Sequence, residues 1–427
     1  MLDIKFIRQN SDIVKKAVLD KQLSGTIDVD ELLKIDAEIQ SLTRELDEIR
    51  AKRNKLNTQI KSSKDDKERQ NLIKENTELK PQAQALEAKL SPLQEKFNEL
   101  ILWVPNPPAD GVPFGESEDK NVVVRVEGEK PQFDFEPKDH LDLGEALDII
   151  DVQRGVKIGG FRSYFLKAEG MVLEQAILKY ALDYMISNGF TPMNVPVMVN
   201  KEWLTGTGYF PWGEEDHYTT QDDQGLVGTA EVSLTAYHAN ETLDESDLPV
   251  LLTGQSPCFR REVGSHGKDT KGVFRIHYFQ KVEQVVLIPA DEKLSIEWHE
   301  KMLNLSEDIL KGLGLSYQIL LMCTGDMGAG QKKKYDIETW FPSQDKYRET
   351  HSDSYFNDFQ SRRLNMRYKT KSGETKYVYT LNNTVAATPR LLAAVLENYQ
   401  QKDGSIVVPE VLRKYTGFDA IQKRNSS

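Results

Sequence analysis

Cysteine is almost absent: Cys258 and Cys323 are the only two in 427 residues, so neither a disulfide framework nor a cysteine-based zinc site can be assembled within one chain. Both are read as small buried hydrophobes. Long apolar runs are missing too. The longest stretches span about six residues, and Val285 to Ile288 only four, whereas a membrane-spanning helix needs roughly 20. The first thirty residues interleave Asp3, Lys5, Arg8, Asp12, Lys15 and Lys16 with short apolar stretches. They have neither the apolar h-region of a secretion signal nor the acid-poor bias of a transit peptide. The expectation is a cytoplasmic protein with no membrane partner. The common nucleotide-binding loops are also lacking: there is no G-x-x-x-x-G-K-[ST], and the pairs Gly206/Gly208 and Gly328/Gly330 do not complete a G-x-G-x-x-G. A nucleotide, if bound, is held by other means.

What is present is 39% hydrophobic and 29% charged, with a net charge of -12, the profile of a globular chain of two or three domains. The charge is unevenly spread. Residues 1–103 hold 19 basic and 19 acidic side chains, so the whole excess falls on 104–427. In the first part, Leu32, Ile35, Ile39, Leu42, Leu46, Ile49, Arg53, Leu56 and Ile60 keep an alternating three-four spacing. It resumes at Leu72, Asn76, Leu79, Ala83, Leu86, Leu90, Leu93, Phe97 and Leu100. Two equal seams joined by a short polar link predict an antiparallel helical hairpin, with helices at about 29–61 and 70–102, each covering the other's stripe. Pro81 and Pro92 should bend or interrupt the second helix. Near the tip, Arg50, Lys52, Arg53, Lys55, Lys61 and Lys64 occur with no acidic residue among them. This run is either a solvated helical face or a contact for nucleic-acid phosphates. The proline-rich segment Trp103 to Pro113 marks the boundary between a domain of 1–103 and one of 104–427.

Beyond it, helical periodicity is expected at 171–186 and 292–313. Strands are expected near 192–199, 257–263, 273–288, 317–322, 335–341 and 376–382. The elements do not alternate one for one, which favours an α+β fold with a mixed or antiparallel sheet flanked by helices. The richest segment is CFRREVGSHGKDTKGVFRIHYFQKVE, 258–283. It reads as a hairpin around a polar loop at 264–272. Period two places Val273, Arg275, His277, Phe279, Lys281 and Glu283 on one face and Phe274, Ile276, Tyr278 and Val282 on the other, taken as core. Arg260 and Glu262 share a face in the first strand. So many charges are costly to bury as plain core. They suit either a pocket for a phosphorylated, aromatic, amine-bearing ligand or an exposed salt-bridged strand. In TLNNTVAATPRLLAAVLENYQ, 380–400, Thr388 is the expected N-cap and Pro389 the first helical residue. That puts Arg390 in the first turn, against the helix dipole unless an anion or a carboxylate lies beside it. In YRETHSDS, 347–354, Glu349 and Ser352 could supply oxygens to a hard cation. In GTAE, 228–231, extended spacing would put Thr229 and Glu231 on one side.

Together these segments resemble the class II aminoacyl-tRNA synthetases, and within them the seryl branch. GFTPMNVP (189–196) looks like the family's first motif, FRRE with RIHYFQKVE its second, and ATPRLLAAVLENYQ its third. TGTGYFP (205–211), the TAE triplet and the helical hairpin are similar to seryl features. The resemblance implies an antiparallel catalytic sheet, a homodimer, and partners that are ATP with Mg2+, L-serine and serine tRNA, leaving selenocysteine tRNA open. It implies serine-binding roles for Thr229, Ala230, Glu231, Glu283, Asn382 and Thr384. ATP-binding roles fall on Arg260, Arg261, Glu262, Arg275, Ile276, Phe279, Glu349, Thr350, His351, Ser352 and Arg390, with Arg260 and Arg390 catalytic and Glu349 and Ser352 on the metal. The basic tip, Arg50 to Lys64, would grip tRNA. Two departures stand out: Asn383-Thr384 replaces a common bacterial Gly-Ser pair, and Asp353-Ser354-Tyr355 replaces a frequent Cys-Ser-Asn. Competing readings are a synthetase-like paralog that loads a carrier protein and a non-catalytic coiled-coil RNA-binding protein.

Overall fold

The computed structural model describes residues 1–263 and 272–423; the loop expected at 264–272 lies, apart from Gly272, outside the described residues. The chain forms two compact units, one of residues 2–19 and 23–105, the other of residue 1, residues 20–22 and the chain from 106 onward.

In the first unit, α1 (Val29–Ser62) and α2 (Asp66–Leu102) form the hairpin. Asp28 and Asp65 cap their N-termini by accepting backbone N–H bonds, which satisfies donors that a helix start leaves free. At 1.5 Å per residue the helices are about 50 and 55 Å long. Leu46, Ala83 and Leu90 form the buried centre of the seam, with Ile39, Leu42, Ile49 and Leu86 packed around it. Cross-helix pairs run in opposite directions along the two sequences: Glu31 meets Lys96, Arg50 meets Glu87, and Asn57 meets Asn76. Neither Pro81 nor Pro92 interrupts α2, which is one continuous helix containing both. Each proline removes one N–H from the ladder, and the flanking bonds with the packed seam hold the rest.

The second unit is built on an eight-stranded sheet, the largest among the described residues. Its strands are β1 (Val122–Glu127), β2 (Thr191–Asn194), β3 (Val250–Phe259), β4 (Tyr278–Ile288), β5 (Tyr317–Leu321), β6 (Lys333–Phe341), β7 (Lys346–Asn357) and β8 (Tyr379–Ala387). They are ordered β1-β5-β6-β7-β8-β4-β3-β2, antiparallel except where β2 joins β3. Helices α3 (Ala168–Ser187) and α4 (Glu292–Gly312) pack onto this sheet through Ile177, Met302 and Ile309 against Val282, Val286 and Leu381. On the same side the amides of Gln284 and Asn383 both donate to the Met302 carbonyl, at 3.1 and 2.9 Å. Since strand side chains alternate, the neighbours Lys281, Glu283, Asn382 and Thr384 are directed to the opposite face. No helix among the described residues is long and apolar enough to cross a membrane.

Candidate active site

The face opposite α3 and α4 carries an open cleft of about 1040 Å³ including its mouth. Its floor is the alternation of β4 and β8: Phe279, Lys281 and Glu283 from one strand, Asn382 and Thr384 from the other. Glu283 is buried and ion-paired to Lys281. It also accepts from Thr229 Oγ1 at 3.4 Å and Thr384 Oγ1 at 3.5 Å. Asn382 is buried, and its Nδ2 has no hydrogen-bond partner among the described residues. A buried amide donor left open is costly, so this one is available to a ligand. Beside it Glu231 accepts from Tyr209 Oη (2.6 Å) and Gln360 Nε2 (2.9 Å). Burial, reinforced by Glu283, raises its carboxyl to about 7 against the pull of those hydrogen bonds. The expected extended spacing of Thr229 and Glu231 is not found. Glu231 begins a short helix, Glu231–Thr235, and Ala230 is buried in the apolar cluster with Leu234 rather than lining the cleft.

The 258–283 hairpin is shorter than its sequence pattern suggests. β3 ends at Phe259 and β4 begins at Tyr278, and Glu262 adopts φ +56°, so period two fails outside those limits. Val273, placed with the polar set, is buried, whereas Tyr278, taken as core, is half exposed. Leaving the ladder nevertheless delivers the charges to the cleft. Arg260 Nε donates to the Gly228 carbonyl (3.3 Å), and its guanidinium carbon lies 5.2 Å from the centre of the Phe279 ring. Glu262 is held by Arg275 at 2.8 Å; Ile276 lines the cleft with Glu262, whereas Arg275, expected beside the nucleotide, lines a neighbouring cavity instead. Arg261 turns elsewhere, donating to the Glu215 carbonyl at 2.9 Å.

The remaining wall comes from β7. Residues 349 and 352 would face opposite ways in a regular strand. The pairing of β6 with β7 shifts register at Thr350, so that Ile337 pairs with His351 while Glu338 pairs with Glu349. This one-residue bulge lets both Glu349 and Ser352 line the cleft. Thr350 and His351, mostly buried, also line the cleft; they are joined at 2.8 Å, and His351 also bonds the Val385 carbonyl at 3.1 Å. Burial lowers His351 to about 4, which keeps it neutral. Burial also opposes ionisation of Glu349, but Arg390 and Lys334 outweigh it and hold the carboxyl well below the usual range. Arg390 Nη1 donates to both the carbonyl (2.9 Å) and the carboxylate (3.1 Å) of Glu349. The cation at a helix start, unfavourable by dipole alone, thus has its carboxylate. α5 (Arg390–Asn398) starts one residue later than expected: Pro389 is the N-cap, and Thr388 donates to the Gln280 carbonyl instead of capping.

A carboxylate kept ionised and a hydroxyl on the same wall are a donor set that suits Mg2+ bound together with phosphates. The cleft also contains side chains to which the sequence reading gave no role. Tyr209 and Lys334 line it; the first sits inside the TGTGYFP segment, and the second carried no signal beyond a basic run at 332–334. Of the two sequence departures, Asn383 faces α4, as does the Asp353 carboxylate, 3.4 Å from His299 Nε2. Both cysteines are buried thiols.

Of the six basic tip residues, three are engaged across the hairpin. Arg50 pairs with Glu87 at 2.8 Å, Lys52 with Glu75 at 2.8 Å, and Arg53 Nε donates to Asn76 at 3.3 Å. Lys55, Lys61 and Lys64 are exposed.

Comparison with known proteins agrees with this geometry. Residues 1–108 match the seryl-tRNA synthetase N-terminal domain, and 216–399 match the tRNA synthetase class II core domain of the G, H, P, S and T enzymes. The serine-tRNA ligase of Deinococcus radiodurans is 43% identical over 98% of both chains. That of Thermodesulfovibrio yellowstonii is 44% identical over 99% of this chain and 100% of its own. The seryl-tRNA synthetase of Pyrococcus horikoshii, solved with ATP, superposes with a TM-score of 0.93 at 39% identity over the full length of both chains. With a matching sheet, a matching N-terminal unit and relatives of this identity along its whole length, the chain belongs to the seryl-tRNA synthetase family.

Proposed function

We propose that the chain is an ATP-dependent serine-tRNA ligase. It would join L-serine to ATP as seryl-adenylate, releasing pyrophosphate, and then transfer the seryl group to the 3′ end of serine tRNA. One observation carries the reading: Arg260 and Arg390, from stretches 130 residues apart, line a single cleft with a separate polar pocket around Glu283 at its floor.

The first step brings two anions together, the serine carboxylate and the α-phosphate. Fixed guanidinium groups lower that barrier without a side-chain nucleophile, because they neutralise charge where it grows. Arg260 is oriented by the Gly228 carbonyl and Arg390 by Phe274 and Glu349, so neither needs to reorganise. Phe279 would stack on adenine, with Glu262, Arg275 and the backbone at Ile276 along the nucleotide. Thr350 and His351 would complete the wall on that side. Mg2+, held by Glu349 and Ser352, would supply charge neutralisation at the phosphates. Glu231 would take the serine ammonium, while Glu283, Thr384, Thr229 and Asn382 surround the hydroxyl. A buried polar floor rejects alanine, which would leave those groups unpaired.

The arm's exposed Lys55, Lys61 and Lys64, with the paired Arg50, Lys52 and Arg53, would track tRNA phosphates; residues 1–103 are read as that domain and 104–427 as the catalytic one. Val152, Val156, Ile158, Phe161 and Phe165 expose apolar side chains within one short stretch, which supports a homodimer, and the setting would be the cytoplasm. The test is serine-dependent exchange of pyrophosphate into ATP followed by charging of purified serine tRNA. Absence of exchange with serine would overturn the reading, and exchange without charging would favour a carrier-loading paralog.

A further inference from the structure

A buried histidine outside the cleft ties two parts of its wall together. His140 opens a short helix, His140–Ala146, and is 2% exposed. Its Nδ1 lies 2.7 Å from Glu397 Oε1, and its Nε2 accepts the backbone N–H of Val273 at 3.3 Å. An Nε2 that accepts has no proton, so the proton sits on Nδ1 and is donated to Glu397. Glu397 is itself fixed, since it accepts the His140 N–H at 3.1 Å and the Ser343 N–H at 3.2 Å. It lies on α5, the helix that begins with Arg390, whose Nε grips the Phe274 carbonyl at 2.9 Å. Consecutive residues 273 and 274 are therefore held from one helix by two arms, one direct and one relayed through the imidazole. The Phe274 ring meets His140 edge-on at 5.0 Å and 86°. Gly272, at φ +90°, admits this approach, because a Cβ there would stand 2.7 Å from Nε2.

We propose that His140, locked by Glu397, is a positioning residue for ATP. By holding the Val273 N–H it fixes the irregular segment 272–276 that brings Phe274 and Ile276 to the cleft wall and Arg275 to the cleft-lining Glu262. The segment has no strand ladder of its own, since β4 begins only at Tyr278, so these bonds stand in for one. The proposal rests on reading the cleft as an ATP site.

The test is steady-state pyrophosphate exchange on the full-length protein carrying His140→Leu or Gly272→Ala, with melting temperatures measured alongside. The expected result is a KM for ATP raised about tenfold, the effect of one lost buried hydrogen bond, with the KM for serine unchanged. His140→Gln, which keeps an acceptor, should recover part of the loss. If His140→Leu does not fold, Gly272→Ala applies the test from the other side of the contact. An unchanged KM for ATP in a folded variant, or equal rises for ATP and serine, overturns the proposal. Absence of serine-dependent exchange in the unaltered protein would instead remove the ATP reading beneath it.

Discussion

The hairpin and the cleft use charge in opposite ways. Arg50 and Glu87 pair at 2.8 Å while each side chain remains about half exposed, so water and salt share the interaction and it contributes little. Lys281 and Glu283 pair where each is almost fully buried. There the cost of desolvation is high, and each group depends on its partner. The pairing of a basic side chain with a glutamate therefore provides a water-screened surface in one unit and a rigid, poised site in the other.

The contrast can be broken most decisively at Arg260. Its replacement by Ala should reduce serine-dependent pyrophosphate exchange by about 10²- to 10³-fold or more, the order seen when a preorganised charge partner of a transition state is lost. Near-normal exchange would refute its assignment. In the hairpin, Lys55→Glu, Lys61→Glu and Lys64→Glu combined should weaken tRNA charging on the order of a hundredfold and flatten its salt dependence. Exchange should be unaltered, and a variant charging as well as its parent would end the case for the tip. Subtler is Glu231, whose carboxyl titrates near 7. A raised pKa leaves it neutral below that value and anionic above, so the KM for serine should fall as pH rises from 6 to 8. Glu231→Gln should remove that slope, and a flat profile in the unaltered protein would count against ammonium binding there. Smallest of all, Arg50→Ala should lower unfolding stability by less than about 1 kcal/mol, with the difference shrinking in added salt. A loss of several kcal/mol in a denaturant titration would mean the hairpin is not the water-screened surface described.

Legibility in the sequence followed the regularity of the backbone. The hairpin was readable residue by residue, because its spacing persists over many turns and buries one stripe. The helices near 171–186 and 292–313 were readable for the same reason. Strand β7 was not, since RETHSDS carries polar side chains on the cleft side and hides the alternation. The edge strand β1 was missed as well. In the 258–283 segment the chemistry was legible and the geometry was not: Arg260, Glu262 and Ile276 reach the cleft through turns that period two does not describe. Arg261 is the clearest example. Its neighbours made it look equivalent to Arg260, yet a single step in an irregular backbone sends it to Glu215. His140 carried no local signal, because its partners Val273 and Glu397 lie 133 and 257 residues away.

The register shift at Thr350 constrains evolution and engineering in a way that composition does not. With the bulge in place, adding one amino acid between Thr350 and Ser352 would turn everything downstream to the other face, sending Ser352 into the helical layer and the acidic Asp353 toward the cleft. Point replacements in that stretch leave the frame intact. Insertions there should therefore be far rarer among functional variants than exchanges of side chain.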